Sequence, residues 1–195
     1  WIHRLELADE LDRQVIDLAL QEIREKRIPV SVNLSGAALS DPGFLSWISQ
    51  KLSAQAEEAG LLWLEVQEAT AYRHMENFRR LCARCKRYGT RLGIEHLGHQ
   101  LSDIGQLHDV GVDYVKVDAA FVRDIHDNPA NQTLLRTLCT LVHSLGITAI
   151  AEGVCHRNEW DALSDLGFDG ATGPQVTAQF EGREQRDPKA VLSYR

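Results

Sequence analysis

The sequence lacks the features that identify several common classes of protein. No Gly-x-Gly-x-x-Gly segment or P-loop follows any predicted strand, so the usual nucleotide fingerprints of open α/β sheets are missing. No apolar run approaches the length of a membrane span, and no signal peptide is visible. Basic residues are outnumbered, 21 against 28 acidic ones, and the net charge of −7 argues against a general nucleic-acid or anionic-membrane surface.

Cysteine is scarce, and its arrangement does not favour a metal or redox site. Cys82 and Cys85 form a Cys-x-x-Cys pair, but no second such pair follows in the chain. The pair lies in the basic stretch FRRLCARCKRYG, which has helical periodicity. We interpret both residues as thiols on a helix, in keeping with reduced cysteines of a cytosolic protein.

The length of 195 residues and the hydrophobic content of 44% suit one core rather than two domains. The chain begins with Trp1 rather than Met, so we expect it to be part of a longer protein. Attachment of that longer protein to a membrane stays open. The domain is expected over residues 1–177. The polar segment 178–195 is expected to be a tail, with a short helix capped by Asp187.

Helical patterns alternate with short apolar runs along the chain. The first helix is expected to present Leu11, Val15, Leu18, Ala19 and Ile23 on one stripe, and Asp41 is expected to cap the second helix. Strands are predicted in PVSVNLS, LLWLEV, RLGIEH, DYVKVD, ITAIAEG and FDGAT, and further helices over 7–26, 73–88, 100–110, 128–145 and 157–166.

Apolar runs of this kind suit strands buried on both faces of a parallel sheet with helical crossovers. Two architectures fit, an open doubly wound sheet and a (β/α)8 TIM-like barrel. Polar residues recur at the carboxyl ends of the strands, which favours the barrel, because those ends converge on one face. At 195 residues the chain is shorter than the roughly 250 of a complete barrel, so the first strands are expected to be absent. These polar residues are Asn33, Glu65, Glu95, His96, Lys116, Asp118 and Glu152.

Carboxylates and an amide around one cleft suit a hard divalent cation, and a lysine beside them suits a phosphate. Together they are typical of phosphodiester hydrolysis by metal-bound water. Each acidic residue taken alone has a plainer interpretation, because acids directly after strands often cap helices.

Five segments, in order, resemble the EAL-domain family of cyclic-di-GMP phosphodiesterases over about Trp1–Val176. VNLS at Val32–Ser35 is similar to the family's VNxS, and LEVQE at Leu64–Glu68 to its ExTE. GIEHLG at 93–98 resembles its DDFG segment, YVKVDAAFV at 114–122 its KxDxxFV, and AEGV at 151–154 its AEGVE. The EAL signature itself would lie upstream of Trp1.

The resemblance implies roles only where residues match. Asn33 and Glu65 match metal ligands, Glu152 an acid of the metal centre, Lys116 the residue near the attacking water, and Glu68 an acid that steadies a loop. Any metal is expected at Asn33, Glu65, Glu95 and Glu152. The nucleotide site is expected to comprise Asn33, Glu65, Glu68, Glu95, Lys116, Asp118, Glu152, Gly173 and Pro174.

The departures from the family pattern predict a degenerate, catalytically inactive member. Glu95 and His96 replace the two adjacent aspartates that bridge the family's metals, and two-metal geometry tolerates little displacement. Cys155 stands where AEGVE ends in an acid, and Thr172-Gly173-Pro174 replaces the family's QG(Y/F). No catalytic residue is therefore expected.

Binding is less exacting than catalysis, so the resemblance still implies a cyclic-di-GMP receptor. The HLG segment and the GATGP ending resemble LapD-type inner-membrane receptors. We therefore expect a cytoplasmic domain of a multidomain membrane receptor, a homodimer, a role in biofilm adhesion and no nucleic-acid partner. No cofactor is required for binding in this hypothesis, and Mg or Mn only if phosphodiesterase activity remains. Two alternatives stay open, an active metal-dependent phosphodiesterase and an interaction module that has lost the nucleotide.

Overall fold

The computed structural model describes residues 2–176 and 192–193, in which helices alternate with short strands. The helices are α1 (Ile2–Lys26), α2 (Gly36–Ser40), α3 (Phe44–Ala54), α4 (Ala56–Ala59), α5 (Glu68–Arg73), α6 (Met75–Cys85), α7 (Ala119–Val122), α8 (Pro129–Ser144) and α9 (Arg157–Leu166). The strands are β1 (Val30–Leu34), β2 (Leu62–Gln67), β3 (Arg91–Leu97), β4 (Tyr114–Val117), β5 (Thr148–Ala151), β6 (Gly170–Ala171) and β7 (Leu192–Ser193). Short 3-10 helices lie at Lys86–Tyr88, Leu101–Leu107 and Ile125–Asp127.

The chain divides into two compact units. The first unit comprises Trp1–Ile94, Ser102–Val112 and Leu192–Arg195. In it β1 lies between β2 and β7, and both pairings are parallel. The residues of β1 are almost all buried, including the polar Ser31. Burial on both faces is typical of a parallel strand covered by helices.

The second unit comprises Glu95–Leu101 and Asp113–Val191. Here β5 lies between β4 and β6, again with parallel pairings. A core of small apolar side chains joins this sheet to α7 and α9. Its buried members are Val122, Ala151, Val154, Leu163, Ala171 and Val176, with Trp160 and Phe168 packed against them.

The predicted α/β fold with parallel strands is confirmed, and each predicted strand is present. The helix over 157–166 has the predicted bounds, and Asn128 caps α8 from the position where that helix was expected to begin. The segment 100–110 forms only the 3-10 helix Leu101–Leu107. Cys82 and Cys85 lie buried on α6 as free thiols, as the helical interpretation predicted.

The predicted apolar stripe of α1 is partly wrong. Ile16, Ala19 and Ile23 are buried, whereas Leu11 and Leu18 are 59% and 65% exposed. Successive residues of a helix are rotated by about 100°, so Leu18 points well away from the face that Ile16 defines. The buried face follows the spacing of Ile16, Leu20 and Ile23.

The expected cap at Asp41 is also wrong. Ser35 directly follows β1 and caps α2, its side chain accepting hydrogen bonds from the N–H groups of Ala37 and Ala38. Asp41 ends that helix instead, and its carboxylate accepts from the N–H of Gly43. The next long helix, α3, therefore begins only at Phe44.

Of the expected tail 178–195, only Leu192–Ser193 is described, as the strand β7 beside β1. The short helix predicted at Asp187 lies outside the described residues. Among the residues that are described, no helix is both long and apolar enough to cross a membrane.

Candidate functional site

In the first unit, Asn33 and Glu65 are brought side by side. They are direct register partners on the parallel strands β1 and β2. Glu65 is buried, and Glu68 is buried at the first position of α5. A carboxylate at a helix N-terminus is stabilised by the helix dipole, which gives Glu68 a structural role as well.

Asp12 of α1 fixes the chain directly after Asn33, and sequence reasoning missed it. The Ser35 hydroxyl donates to Asp12 Oδ2 at 2.5 Å, and the Ser35 N–H lies 3.3 Å from both carboxylate oxygens. The only sequence signal was an acid on the buried face of an amphipathic helix. Buried carboxylates are retained where such donors satisfy them.

In the second unit, Lys116 and Asp118 follow one another on and after β4. Lys116 is buried within the strand, with 1% of its surface exposed. Asp118 Oδ1 accepts from the N–H of Ala120 at 2.7 Å and so caps α7. The helix-cap interpretation is therefore correct for Asp118. Its other carboxylate oxygen, Oδ2, lies near the rings of His96 and His99.

His96 lies at the centre of an acidic cluster at the end of β3. Its Nδ1 lies 3.2 Å from Glu152 Oε2 and 3.3 Å from Asp118 Oδ2, and its backbone N–H donates to Glu152 Oε2 at 3.4 Å. Its Nε2 lies 3.9 Å from Glu95 Oε2. Three residues of the predicted site, Glu95, Asp118 and Glu152, thus surround one imidazole ring.

His99 belongs to the same cluster, and it is not among the site residues predicted from the sequence. Its Nε2 lies 3.3 Å from Asp118 Oδ2. Burial acts to raise the pKa of Asp118, but the Ala120 N–H, the His99 hydrogen bond and the two histidine rings outweigh it and lower that pKa. The signal that was available is the HLGH spacing at 96–99, which begins at the carboxyl end of β3.

Gly173 and Pro174 follow β6. Gly173 has φ +136°, and a Cβ there would lie 2.4 Å from the backbone nitrogen of Val154. Only glycine fits so close a backbone approach, which explains Gly173 structurally. The exposed Pro174 follows it at the surface.

Glu159 is a second residue that sequence reasoning missed. It is fully buried, and its carboxylate accepts from the N–H groups of Asp124, Cys155 and His156 at 2.8–3.1 Å. These donors hold the loop that follows β5. The signal was an acid three residues after His156 at the start of a helix, the spacing of a capping box.

The cluster in the second unit can bind a cationic or N–H donor group, and Lys116 carries the positive charge that a phosphate requires. The oxygens of Asp118 and Glu152 lie 3.2–3.3 Å from the His96 ring nitrogen Nδ1. Within residues 2–176 and 192–193, no group of three or more histidine, cysteine or acidic side chains has an arrangement that could hold a metal ion. The conditional metal set of Asn33, Glu65, Glu95 and Glu152 therefore stays a prediction.

Known proteins resemble this chain over most of its described length. The cyclic di-GMP phosphodiesterase PdeB of Shewanella oneidensis is 26% identical, with 92% of this chain and 23% of that protein covered. The chain thus spans about a quarter of this curated relative. The Vibrio cholerae LapD S helix-GGDEF-EAL structure is 26% identical at TM-scores of 0.82 without and 0.80 with c-di-GMP, covering 88–89% of this chain and 43% of that one.

A third similar structure contains a metal. The manganese and cyclic-di-GMP complex of Klebsiella pneumoniae BlrP1 is 27% identical, with a TM-score of 0.73, and covers 88% of this chain and 44% of that chain. The sequence model of the EAL domain matches residues 1–177 here. The chain therefore belongs to the EAL domain family.

Proposed function

We propose that this EAL domain is a receptor that binds cyclic-di-GMP without hydrolysing it. The observation that carries the proposal is the position of His96, whose ring lies 3.2–3.3 Å from the carboxylates of Glu152 and Asp118. Two-metal hydrolysis needs oxygen ligands that clamp the attacking and leaving oxygens together. Here the carboxylate oxygens of Asp118 and Glu152 lie against the imidazole ring of His96 instead.

Support for nucleotide binding comes from the residues that match the family pattern. Lys116 is a buried cation, Glu65 is a buried acid within β2, and Glu68 is a buried acid at the first position of α5. Binding requires shape and charge but not transition-state geometry. The proposed contact set is Asn33, Glu65, Glu68, Glu95, Lys116, Asp118, Glu152, Gly173 and Pro174.

The wider proposal concerns the longer protein of which this domain would be part. The similar LapD structure carries a GGDEF domain before its EAL domain. By analogy, we propose that this domain sits on the cytoplasmic side of an inner-membrane receptor, pairs as a homodimer and transmits the nucleotide level to an output that controls biofilm adhesion. Analogy of fold is the support for this wider role.

A second candidate is an active phosphodiesterase that uses Mg or Mn. The name of the relative PdeB and the manganese in the BlrP1 structure favour it. Asn33 and Glu65 remain adjacent as the family pattern requires. The proposed receptor needs no cofactor, so the two candidates differ in metal dependence as well as in turnover.

The experiment is calorimetric titration of the chain with cyclic-di-GMP, once in EDTA and once with Mg²⁺. The receptor predicts the same affinity in both buffers, and no binding of cyclic-di-AMP, the control for base recognition. Binding that requires Mg²⁺ would favour the phosphodiesterase. An absence of binding in both buffers would contradict nucleotide recognition and leave the interaction module as the function.

A further inference from the structure

We propose that His96 takes the place of a divalent cation, holding Glu152 and Asp118 in position through its own N–H groups. The domain then has no metal requirement of its own, and cation affinity is restored by returning an acid to position 96. Nucleotide binding without a metal rests on the proposed function, whereas the predicted cation affinities of the wild type and of the variant do not.

Glu152 is held twice by the same residue. Its Oε2 accepts from the His96 backbone N–H at 3.4 Å and lies 3.2 Å from the His96 Nδ1. An ionised carboxylate can only accept hydrogen bonds, so the contact is attractive when Nδ1 carries a hydrogen. A neutral imidazole of that tautomer is sufficient, and the contact does not require a charged ring.

Both carboxylate oxygens of Asp118 also have nitrogen atoms close to them. Oδ1 accepts from the N–H of Ala120 at 2.7 Å, and Oδ2 lies 3.3 Å from both His96 Nδ1 and His99 Nε2. Each carboxylate oxygen has about two acceptor positions, and both ring nitrogens lie at the side of Oδ2, with the one Nδ1 hydrogen of His96 shared between Asp118 and Glu152. A cation would have to displace at least one imidazole to reach this oxygen.

The backbone fixes the ring in this position. His96 has φ +54°, in the left-handed region, which non-glycine residues rarely adopt. Histidine, asparagine and aspartate are the side chains most often tolerated there. An aspartate at position 96 is therefore compatible with the same backbone, which makes His96→Asp a fair test.

The groups around His96 therefore do not suit the divalent metal that the family resemblance implies. Mg²⁺ and Mn²⁺ prefer carboxylate, carbonyl and water oxygens. At this place the carboxylates lie against a backbone N–H and an imidazole nitrogen of His96. Replacing the imidazole with a carboxylate removes the donors and adds an anionic ligand beside Glu95 and Glu152.

The experiment measures Mn²⁺ alone, by the loss of the free-ion EPR signal on titration of the intact chain. We expect the wild type to bind Mn²⁺ no better than a surface carboxylate, and His96→Asp to bind at least about tenfold more tightly, or roughly 1.4 kcal/mol. The matched control is His143→Asp, because His143 also pairs with a carboxylate and is 39% exposed against 36% for His96. This control changes the charge equally and should not gain affinity.

Tight Mn²⁺ binding by the wild type would overturn the proposal. So would a folded His96→Asp chain, judged by its circular dichroism, that gains no affinity. If that variant does not fold, Glu95→Asp combined with His96→Asp restores the family pair and is held to the same criterion. Failure of cyclic-di-GMP binding would remove the proposed function but leave these Mn²⁺ results standing, so the two failures are distinguishable.

Discussion

Lys116 is the buried cation of the proposed nucleotide site. Its side chain lies inside β4 with 1% of its surface exposed. Burying a lysine costs free energy unless nearby groups compensate for the lost hydration. In the proposed function, this buried cation is the group that contacts a phosphate of the nucleotide.

Lys116→Met therefore should weaken cyclic-di-GMP binding by about tenfold or more, because a buried charge-assisted contact to phosphate is lost. Methionine nearly preserves the volume, whereas the smaller Lys116→Ala also leaves a cavity. The measurement is calorimetric affinity. Lys51→Met, on the surface helix α3, is the control. Unchanged affinity in Lys116→Met would count against this placement of the site.

The thiols differ sharply in their environment. Burial raises the pKa of Cys85 to about 12, and burial together with the charge of Asp169 raises that of Cys139 to about 12. Cys82 is buried as well, and Cys155 is partly exposed. Only thiolates react with disulfide reagents, so Cys155 should be the one thiol that reacts rapidly in the native chain at pH 8.

The measurement is a titration with Ellman's reagent, before and after unfolding in guanidinium chloride. One rapid equivalent that rises to four on unfolding is expected. Rapid reaction of a second thiol in the folded chain would show that the helix carrying Cys82 and Cys85 is less tightly packed than described.

At this scale the sequence predicted that position 96 departs from the family, but not how His96 would be used. Glu152 lies 56 residues further along the chain, and its contact with His96 depends on the pairing of separate strands. The left-handed backbone of His96 has no signature in the sequence. The local sequence shows which residues match the family, whereas tertiary packing determines which side chains those residues contact.

Among the elements, the start of α9 depends on one buried acid. Burial acts to raise the pKa of Glu159, but hydrogen bonds from the N–H groups of Asp124, Cys155 and His156, with the charge of Arg123, outweigh it and lower that pKa. A lowered folded-state pKa means that the ionised carboxylate stabilises the fold above about pH 4.5, its unfolded value. This contribution is lost as the pH falls through the folded-state pKa.

Glu159→Gln should lower the free energy of unfolding by about 2 kcal/mol at pH 7, because an amide cannot accept all three backbone hydrogen bonds and adds donors of its own. The difference between wild type and variant should shrink as the pH falls below about 4.5. Urea unfolding at pH 7 and pH 4 measures both values. Glu57→Gln, at an exposed acid, is the control. A pH-independent difference would contradict this role of the carboxylate.

The ends of helices were predictable from the sequence only where one residue determines the end by its backbone conformation. The helical segment predicted over 73–88 ends at Gly89, which adopts a left-handed conformation at φ +79°. Asp41 had the residue type of a helix cap, but Ser35, six residues earlier, already caps the start of α2. Several cap-forming residues close together leave the choice to the packing of α1 and α2.

For the whole molecule, the alternation of helices with continuous apolar runs was enough to predict a parallel α/β fold. The exposure of Leu11 and Leu18 was not predictable, because apolar residues on both sides of a helix give no unique buried face. For the site, the sequence predicted only a set of residues that match the family's motifs, and that set stays a prediction. The interactions within the second unit, centred on His96, required the structure.

The measurement that tests the central claim most directly follows cyclic-di-GMP by phosphorus NMR in the presence of the chain and Mg²⁺. The receptor predicts a shifted or broadened diester resonance that persists for hours, with no monoester signal. A new monoester resonance would show that Glu95 and His96 support hydrolysis and would contradict the account.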